Sequence, residues 1–275
     1  MRTVRGIAVC LVLVALGMGF LEAALAADGP RVAPVLDRIL AKKELVVGTA
    51  ADMPPLNMTL KDGKIAGMEV DIATLMANEI GVRLTLKPMP FNDLLPALEA
   101  GQVDLILSGM TMTPLRNTRV AFAGPYFGSG KSVLIKQENV ASLQSTEMMN
   151  NPDVTVAALK GSTSQRFVER LAPKAKLVLT DGYDQAIAMV LDGTVQAMVA
   201  DFPICNVSVY RHQGKGLTTL KSPLNYEPIG MALSPNDPLF LNMVQNFVAY
   251  LLNSGDLSLL RQKWFEDASW VPQLR

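Results

Sequence analysis

The residues best suited to bind a charged small molecule lie in the segment Asp104–Phe127, close to Arg116. A run of apolar residues ends at Ser108–Gly109, which indicates a buried strand that opens into a loop. Thr113 suits the N-cap of a following helix, and Pro114 suits its first position, where a missing N–H is not needed. Arg116 would then project from the first turn, beside the backbone amides at the strand end. A guanidinium fork next to free N–H groups and a threonine hydroxyl predicts a carboxylate-binding site.

Alternating strand and helix patterns lead up to this segment. Short apolar runs bounded by glycine and polar residues predict strands, and apolar residues at helical spacing predict helices between them. The predicted elements are strands at Leu45–Thr49, Leu84–Leu86 and Leu105–Leu107, a helix capped by Asp71 and ending at Gly81, and a helix beginning at Asn92. This alternation with short loops predicts a parallel α/β sheet.

The same alternation is repeated in the second half of the chain. The predicted elements there are strands at Val154–Leu159, Lys176–Leu179 and Val195–Ala200, and helices over Gln165–Leu171 and Asp184–Leu191. The two halves correspond loosely in their glycine and valine positions, so that Gly109 and Asp201 follow equivalent strands. Ligands of open α/β sheets bind outside the carboxyl ends of the strands. Two lobes with facing strand ends would therefore hold a ligand between them.

The course of the chain predicts a clamshell with a discontinuous first lobe. We predict that residues 27–128 and 227–275 form the first lobe, that 132–222 form the second, and that 129–131 and 223–226 form the hinge. Two crossings permit hinge closure and limit lateral sliding.

The first 26 residues predict a secretory signal peptide. Basic residues at Arg2 and Arg5 precede an apolar run that is too short to span a membrane, and an Ala-x-Ala sequence ends at Ala26. Cys10 lies inside the apolar run without the small residues that precede a lipidated cysteine. We therefore expect a cleaved signal, a periplasmic protein and no lipid anchor.

Composition excludes several classes of function. The chain has 25 basic and 25 acidic residues and no basic run, which argues against nucleic acid or an anionic membrane surface as a partner. Cys205 is the only cysteine left after the predicted signal, and His212 is the only histidine. These are too few for a disulfide, a zinc site or a catalytic triad, so we expect no metal and no cofactor.

An ordered set of motifs resembles a known family. VDLILSGMTMTPLR followed by VAFAGPYFGSGKSVLI resembles the first-lobe signature of periplasmic amino-acid-binding proteins of solute-binding family 3, the receptors of ABC uptake systems. VVGTAADMPPLN, PFNDLLPALEAGQVD, LKGSTSQ and VQAMVAD support the resemblance in the same order. It implies a two-lobed fold that captures an amino acid and delivers it to an inner-membrane ABC permease, with the protein acting as a monomer and not as an enzyme.

The resemblance also implies roles for individual residues. Arg116 matches the arginine that grips the ligand α-carboxylate, and Asp201 matches the second-lobe carboxylate that holds the α-ammonium. The other implied ligand-binding residues are Thr111 and the Ser108–Gly109 backbone at the carboxylate, Thr163 with the adjacent Ser162 at a second-lobe helix start, Phe91 over the ligand, and Met53 in place of a family aromatic. Ala50 and Ala200 stand where side-chain donors or acceptors are common in the family, which favours a ligand with an uncharged side chain.

Simpler roles compete with these assignments. Arg116 could be a surface arginine, Asp201 could cap a helix beginning at Phe202, and Phe91 could be a hydrophobic staple. Asp71 and Asp104 are expected to be structural. For the whole protein, the main alternative is a cyclohexadienyl dehydratase, acting on prephenate or arogenate, on the same scaffold. A sensory binding subunit is a further alternative, although no kinase or lytic domain follows in the sequence.

Overall fold

The computed structural model of the chain describes residues 32–143 and 146–275, and its strands form two five-stranded sheets and one small sheet. The strands of the first lobe are β1 (Glu44–Thr49), β5 (Arg83–Pro88), β6 (Leu105–Ile106), β7 (Ala121–Ser129) and β13 (Glu227–Leu233). They form a sheet of order β5-β1-β6-β13-β7, in which β5, β1 and β6 are parallel and β13 is antiparallel to both of its neighbours.

The strands of the second lobe are β8 (Lys131–Lys136), β9 (Thr155–Leu159), β10 (Lys176–Thr180), β11 (Ala197–Asp201) and β12 (Leu217–Thr218). They repeat the arrangement of the first lobe with the order β10-β9-β11-β8-β12. Again three neighbouring strands are parallel, and β8, which enters from the first lobe, is antiparallel to its neighbour β11. The predicted two-lobed α/β fold is confirmed, with a parallel centre and antiparallel strands at one side of each sheet.

A small antiparallel sheet lies after β1 in the first lobe. It consists of β2 (Asp52–Met53), β3 (Asn57–Thr59) and β4 (Ile65–Ala66). The Asp-Gly turn predicted at residues 61–64 connects the last two of these strands, where Gly63 adopts a positive φ of 82°. Its first residue, Asp52, contacts Tyr183 of the second lobe.

Helices cover both faces of the large sheets. They are α1 (Pro34–Lys42), α2 (Met68–Glu79), α3 (Phe91–Glu99), α4 (Pro114–Asn117), α5 (Thr146–Met149), α6 (Thr163–Leu171), α7 (Tyr183–Asp192), α8 (Phe202–Arg211), α9 (Pro238–Ser254) and α10 (Asp256–Arg261). Shorter helical turns span Gln137–Ser142, Gln262–Glu266 and Val271–Gln273. Because both sheet faces are covered, the central strands are mostly apolar, as in β11, where every residue is buried and only Asp201 is charged.

The start of α2 differs from the prediction. The helix begins at Met68 after Gly67, and Asp71 is not its N-cap. Gly67 has a φ of 134°, and a Cβ there would lie 2.3 Å from the Leu56 carbonyl oxygen, so only glycine allows the chain to turn into the helix this early. Asp71 instead accepts a hydrogen bond from the indole of Trp264 at 2.7 Å, which confirms its structural role.

The two crossings between the lobes lie against each other. Ser129 pairs with Glu227 at the end of β7, and the N–H of Leu224 donates to the carbonyl of Lys131 at 2.8 Å. The N–H of Lys131 also donates to Oδ1 of Asn225 at 2.7 Å. The predicted lobe boundaries are compatible with these contacts, and the position of the bend stays a prediction.

Within residues 32–143 and 146–275, no helix combines the length and hydropathy needed to cross a bilayer. The predicted signal peptide, including Cys10, lies outside the described residues.

Candidate functional site

Arg116 is held at the start of α4 as the sequence predicts. The hydroxyl of Thr113 caps the helix by accepting the N–H of Arg116 at 3.2 Å, and Pro114 occupies the first helical position. The buried guanidinium donates from Nη1 to the Thr111 carbonyl at 2.8 Å and from Nη2 to the Gly161 carbonyl at 3.2 Å. Since Gly161 follows β9, Arg116 connects the two lobes and is not a surface arginine.

Aromatic and basic side chains surround this guanidinium. The Arg116 guanidinium carbon lies 5.5 Å from the centre of the Phe91 ring, in cation–π geometry. Burial, followed by the charge of Arg166, lowers the pKa of Arg116 to about 10, so the side chain stays charged at neutral pH. A cavity of about 350 Å³ lies between the lobes here, with Phe91, Arg116, Arg166 and Gly161 among its walls. This cavity can accept an anionic group beside a desolvated cation.

Thr111 and Thr163 meet across the cleft. Their Oγ1 atoms are 3.3 Å apart, and both hydroxyls donate to Oε2 of Glu227, at 2.8 Å and 2.7 Å. The structure therefore brings together two predicted site residues from different lobes. Glu227, at the start of β13, is a buried acceptor that the sequence reasoning missed.

Asp201 is paired with a cation of the chain itself. Lys131 Nζ binds Oδ1 of Asp201 and lies 2.9 Å from Oε2 of Glu227, and all three side chains are buried. The Asp201 side chain makes no capping hydrogen bond to α8, so the alternative of a simple helix cap is not supported. Burial raises the pKa of Asp201, although Lys131 opposes this shift. Burial also acts to raise the pKa of Glu227, but Lys131 and the two threonines hold it below its usual value.

Ser108 and Gly109 are fixed by partners within the first lobe. Ser108 Oγ accepts the N–H of Ala50 at 2.9 Å. The N–H of Gly109 donates to Oε1 of the buried Glu69 at 2.7 Å, so this amide is not free for a ligand in the present state. Glu69 also accepts hydrogen bonds from Asn57, at 2.6 Å, and from the Tyr126 hydroxyl. Glu69 thus positions Gly109, which lies in the segment that is predicted to bind a carboxylate.

Met53 and Ser162 also have defined packing roles. Met53 is buried, and a Cβ on Gly109 would lie 2.3 Å from its sulfur, so glycine permits the close contact between their loops. Ser162 caps α6 by accepting the N–H of Gln165 at 3.2 Å, and it donates to the Leu159 carbonyl at 2.6 Å. Its hydroxyl therefore stabilises the turn that presents Thr163.

A second contact between the lobes involves Asp52 and α7. Oδ2 of Asp52 accepts the N–H of Tyr183 at 3.2 Å, at the first residue of that helix. Tyr183 is buried, and after burial itself the charges of Asp201 and Asp52 are the largest causes that raise the pKa of its phenol.

Sequence reasoning missed Lys131, Glu227, Glu69 and Asp52 for a common reason. Asp52, Lys131 and Glu227 begin strands and Glu69 lies in the first turn of α2, but the partners of each are distant in the chain, as with Lys131 and Asp201. A charged residue at the first position of an apolar strand was the available signal, because a lysine is rarely buried unless it is paired. Among the described residues, no group of three or more histidine, cysteine or acidic side chains forms a possible metal site.

Comparison with known protein families gives a match over most of the chain. The family model of the bacterial extracellular solute-binding proteins, family 3, matches residues 45–267. The arginine-binding protein 1 of an Escherichia coli ABC transporter is 23% identical over 82% of this chain and 92% of its own. The cyclohexadienyl dehydratase of Pseudomonas aeruginosa is 25% identical over 84% of this chain and 86% of its own.

Solved structures of similar fold are also similar in sequence. A binding component of an ABC transporter from Wolinella succinogenes, complexed with lysine, has a TM-score of 0.78 at 34% identity, covering 84% of this chain and 99% of that one. An ancestral amino-acid-binding protein, a precursor of cyclohexadienyl dehydratase, has a TM-score of 0.77 at 34% identity, covering 84% and 98%.

Proposed function

Because the chain belongs to family 3 of the bacterial extracellular solute-binding proteins, we propose that it captures an amino acid between its lobes for an inner-membrane ABC transporter. The observation that carries this proposal is the arrangement of fixed charges across the cleft. Arg116 supplies a desolvated guanidinium that reaches the Gly161 carbonyl of the second lobe, and Asp201 and Glu227 supply buried carboxylates. An α-amino acid presents a carboxylate and an ammonium that match these two kinds of group.

The charge balance supports a zwitterion. Lys131 neutralises one of the two carboxylates at the hinge, so the Lys131–Asp201–Glu227 group carries one net negative charge when all three are ionised. A buried charge is costly unless it is paired, and the ligand ammonium would balance this one. Arg116 would pair with the ligand carboxylate, because only part of its donor set is used by the Thr111 and Gly161 carbonyls.

The ligand would act by stabilising the closed form. In the present arrangement polar contacts join the lobes, among them Arg116 to Gly161, Thr111 to Thr163, Thr163 to Glu227, and Asp52 to Tyr183. A ligand that contacts both lobes binds the closed form better than the open form and therefore shifts the population. The Ser108–Gly109 loop and Phe91 would border the bound carboxylate.

The finer features of the proposal follow the sequence. A cleaved signal peptide over residues 1–26 would place the protein in the periplasm without a lipid anchor, where it would act as a monomer and without catalysis. Ala50 provides no carboxylate on the first-lobe wall, which favours an uncharged ligand side chain.

A thermal-shift and calorimetry screen of the common amino acids tests this function. A ligand that binds only the folded protein at 100 times its Kd adds about 2.7 kcal/mol of stability, which raises the melting temperature measurably. At least one L-amino acid should do so, and its D-enantiomer should not. Absence of a shift and of binding heat with every amino acid would overturn the proposal.

A dehydratase acting on prephenate is a second candidate, favoured by one observation. Burial raises the pKa of Asp52 to about 6, and a carboxyl group in a cleft with such a pKa could donate a proton near neutral pH. Direct assay of the purified protein with prephenate decides between the two functions. Turnover that is lost in Asp52→Asn would support the enzyme, whereas amino-acid binding without turnover supports the receptor.

A further inference from the structure

A cavity of about 480 Å³ lies between α8 of the second lobe and the C-terminal part of the first lobe. It shares no lining residue with the cavity at Arg116, so it is a separate space. Its volume is within the range of small-molecule sites, which are lined mostly by apolar and aromatic side chains. We call it the aromatic cavity because six aromatic side chains line it, namely Phe127, Phe202, Tyr210, Trp264, Phe265 and Trp270.

Several of these rings are held in place by contacts within the chain. Phe127 and Phe265 are stacked with their ring centres 4.9 Å apart, and the ring centres of Trp264 and Trp270 lie 6.0 Å apart. The indole N–H of Trp264 donates to Asp71 at 2.7 Å, and that of Trp270 donates to the Trp264 carbonyl at 3.2 Å. Because both indole donors are used, these walls offer a ligand their apolar ring surface.

The aromatic cavity is accessible from solvent. Tyr210 and Phe265 are 51% and 38% exposed, and Asn206 and Asp267, which also line the cavity, are exposed. Contact between aromatic surface and water is unfavourable, and exposed apolar patches of this kind mark binding sites. A small molecule can therefore reach the cavity and is stabilised there by covering the rings.

The charge of the cavity favours a cation. Among the described residues that line it, Asp267 is the only charged one, whereas the nearby Arg261 and Lys263 do not border it. The Asp267 carboxylate accepts the N–H of Ser269 at 2.8 Å and its hydroxyl at 2.9 Å, and it forms no ion pair with another described residue. These hydrogen bonds lower the pKa of Asp267, so it is ionised at neutral pH. A carboxylate with two hydrogen bonds still has acceptor positions for a ligand ammonium.

We propose that the aromatic cavity is a second ligand site, separate from the site at Arg116, and that it binds a small aromatic amine. The ring of the ligand lies among the aromatic walls, and its ammonium lies beside Asp267. An aromatic carboxylate of the same shape would meet the like charge of Asp267 and bind more weakly. This inference goes beyond the amino-acid receptor function and does not depend on it.

Three indoles of matched shape test the proposal by calorimetry at low ionic strength. They are tryptamine, which is a cation, 3-propylindole, which is neutral, and indole-3-propionate, which is an anion. We expect saturable tryptamine binding with a Kd below about 1 mM. Tryptamine should bind at least about fivefold more tightly than indole-3-propionate, because Asp267 attracts one charge and repels the other, and salt should reduce this difference.

Asp267→Asn tests the charge. The new amide oxygen still accepts from Ser269, but the difference between tryptamine and indole-3-propionate should fall below about twofold, while the affinity for 3-propylindole changes by less than about twofold. Glu266→Gln is the matched control, because Glu266 is an exposed neighbour that carries the same charge and does not line the cavity. It should keep the wild-type difference.

Tyr210→Ala tests the walls. Loss of this exposed ring should weaken the binding of all three indoles by at least about fivefold, whereas Tyr250→Ala, at a tyrosine that is 55% exposed and outside the cavity, should not. Circular dichroism checks that each variant is folded.

Absence of saturable tryptamine binding, or tighter binding of indole-3-propionate, would overturn the inference. Tryptamine binding that is unchanged in both Asp267→Asn and Tyr210→Ala would place the amine elsewhere and overturn it as well. Dimerisation of the wild-type protein that is lost in Tyr210→Ala, without any tryptamine binding, would assign the aromatic cavity to a second copy of the chain instead. None of these measurements uses an amino acid, so their failure leaves the receptor function intact.

Discussion

The ammonium of Lys131 binds the carboxylate of Asp201 inside the closed cleft, and almost no part of either side chain is accessible to solvent. The residue expected to hold the ligand ammonium thus already has a cation from its own chain. Glu227 shares that cation, so the receptor site has two carboxylates for one lysine. The ligand ammonium is expected to join this group and not to replace Lys131.

Removal of the lysine charge should be strongly destabilising. Lys131→Met leaves two buried carboxylates without a cation, and breaking a buried ion pair on one side costs about 3–5 kcal/mol. We expect urea denaturation to show a loss of free energy of unfolding in this range. Lys174→Met, at an exposed lysine of the same lobe, should change it by less than about 0.5 kcal/mol. Equal stabilities for the two variants would contradict the assigned role of Lys131.

The stability should depend on pH through Asp52. Burial, opposed by the Tyr183 N–H and assisted by Asp184, raises the pKa of Asp52 from 3.8 to about 6. Between pH 3.8 and about 6, Asp52 binds a proton in the folded protein but not in the unfolded chain. The stabilising contribution is therefore present below about pH 4 and is lost as the pH rises through about 6.

The variant Asp52→Asn isolates this contribution. At pH 7.5 it should be more stable than the wild type by up to about 3 kcal/mol, because it removes a buried ionised carboxylate. At pH 4 the difference should nearly vanish. Denaturation curves at both pH values check this, and a difference that is the same at pH 4 and pH 7.5 would exclude the mechanism. Opening of the cleft would expose Asp52 and reduce the measured effect.

The predicted hinge should be sensitive to added volume at Gly130. A Cβ there would lie 2.0 Å from the carbonyl oxygen of Asn225 in the other crossing, and backbone cannot move aside easily. Gly130→Ala is expected to lower the free energy of unfolding by about 1–3 kcal/mol. At Gly128 the corresponding contact is with the ring of Tyr226, which is 68% exposed and can rotate away.

Gly128→Ala is therefore the matched control two residues earlier in the same connection. Its stability should stay closer to that of the wild type than the stability of Gly130→Ala. A larger loss in Gly128→Ala would show that the two crossings are not packed as described. Small-angle scattering of Gly130→Ala without ligand should also report a more open average shape if this connection forms the hinge.

The sequence predicted the fold and the positions of Arg116 and Asp201 within it, for identifiable physical reasons. Thr113, Pro114 and Arg116 are neighbours in the chain, so cap preference and helix geometry alone place the guanidinium. Asp201 follows an apolar strand, and that pattern predicts its position at a strand end. Such local rules also predicted the two alternating series of strands and helices.

The features that the sequence did not predict depend on contacts between segments that are distant in the chain. Glu227 contacts Thr111 and Thr163 over separations of 116 and 64 residues, and no local pattern encodes such pairs. The predicted start of α2 was wrong because Gly67 turns the chain against Leu56, which belongs to another segment. Asp52 was missed because its hydrogen-bond partner is the N–H of Tyr183 at the start of α7, which lies 131 residues further along the chain.

Calorimetric titration of Arg116→Ala with the amino acid that binds the wild-type protein tests whether Arg116 binds the ligand carboxylate. Truncating one partner of a buried charge pair costs about 2–5 kcal/mol, so affinity should fall by about 30-fold to several thousandfold. Arg83→Ala is the control, because Arg83 is an exposed arginine of the first lobe that pairs with Glu44 and does not border the cavity at Arg116. We expect lost binding in Arg116→Ala and wild-type binding in Arg83→Ala, with both variants folded by circular dichroism. Wild-type affinity in Arg116→Ala would contradict that role of Arg116.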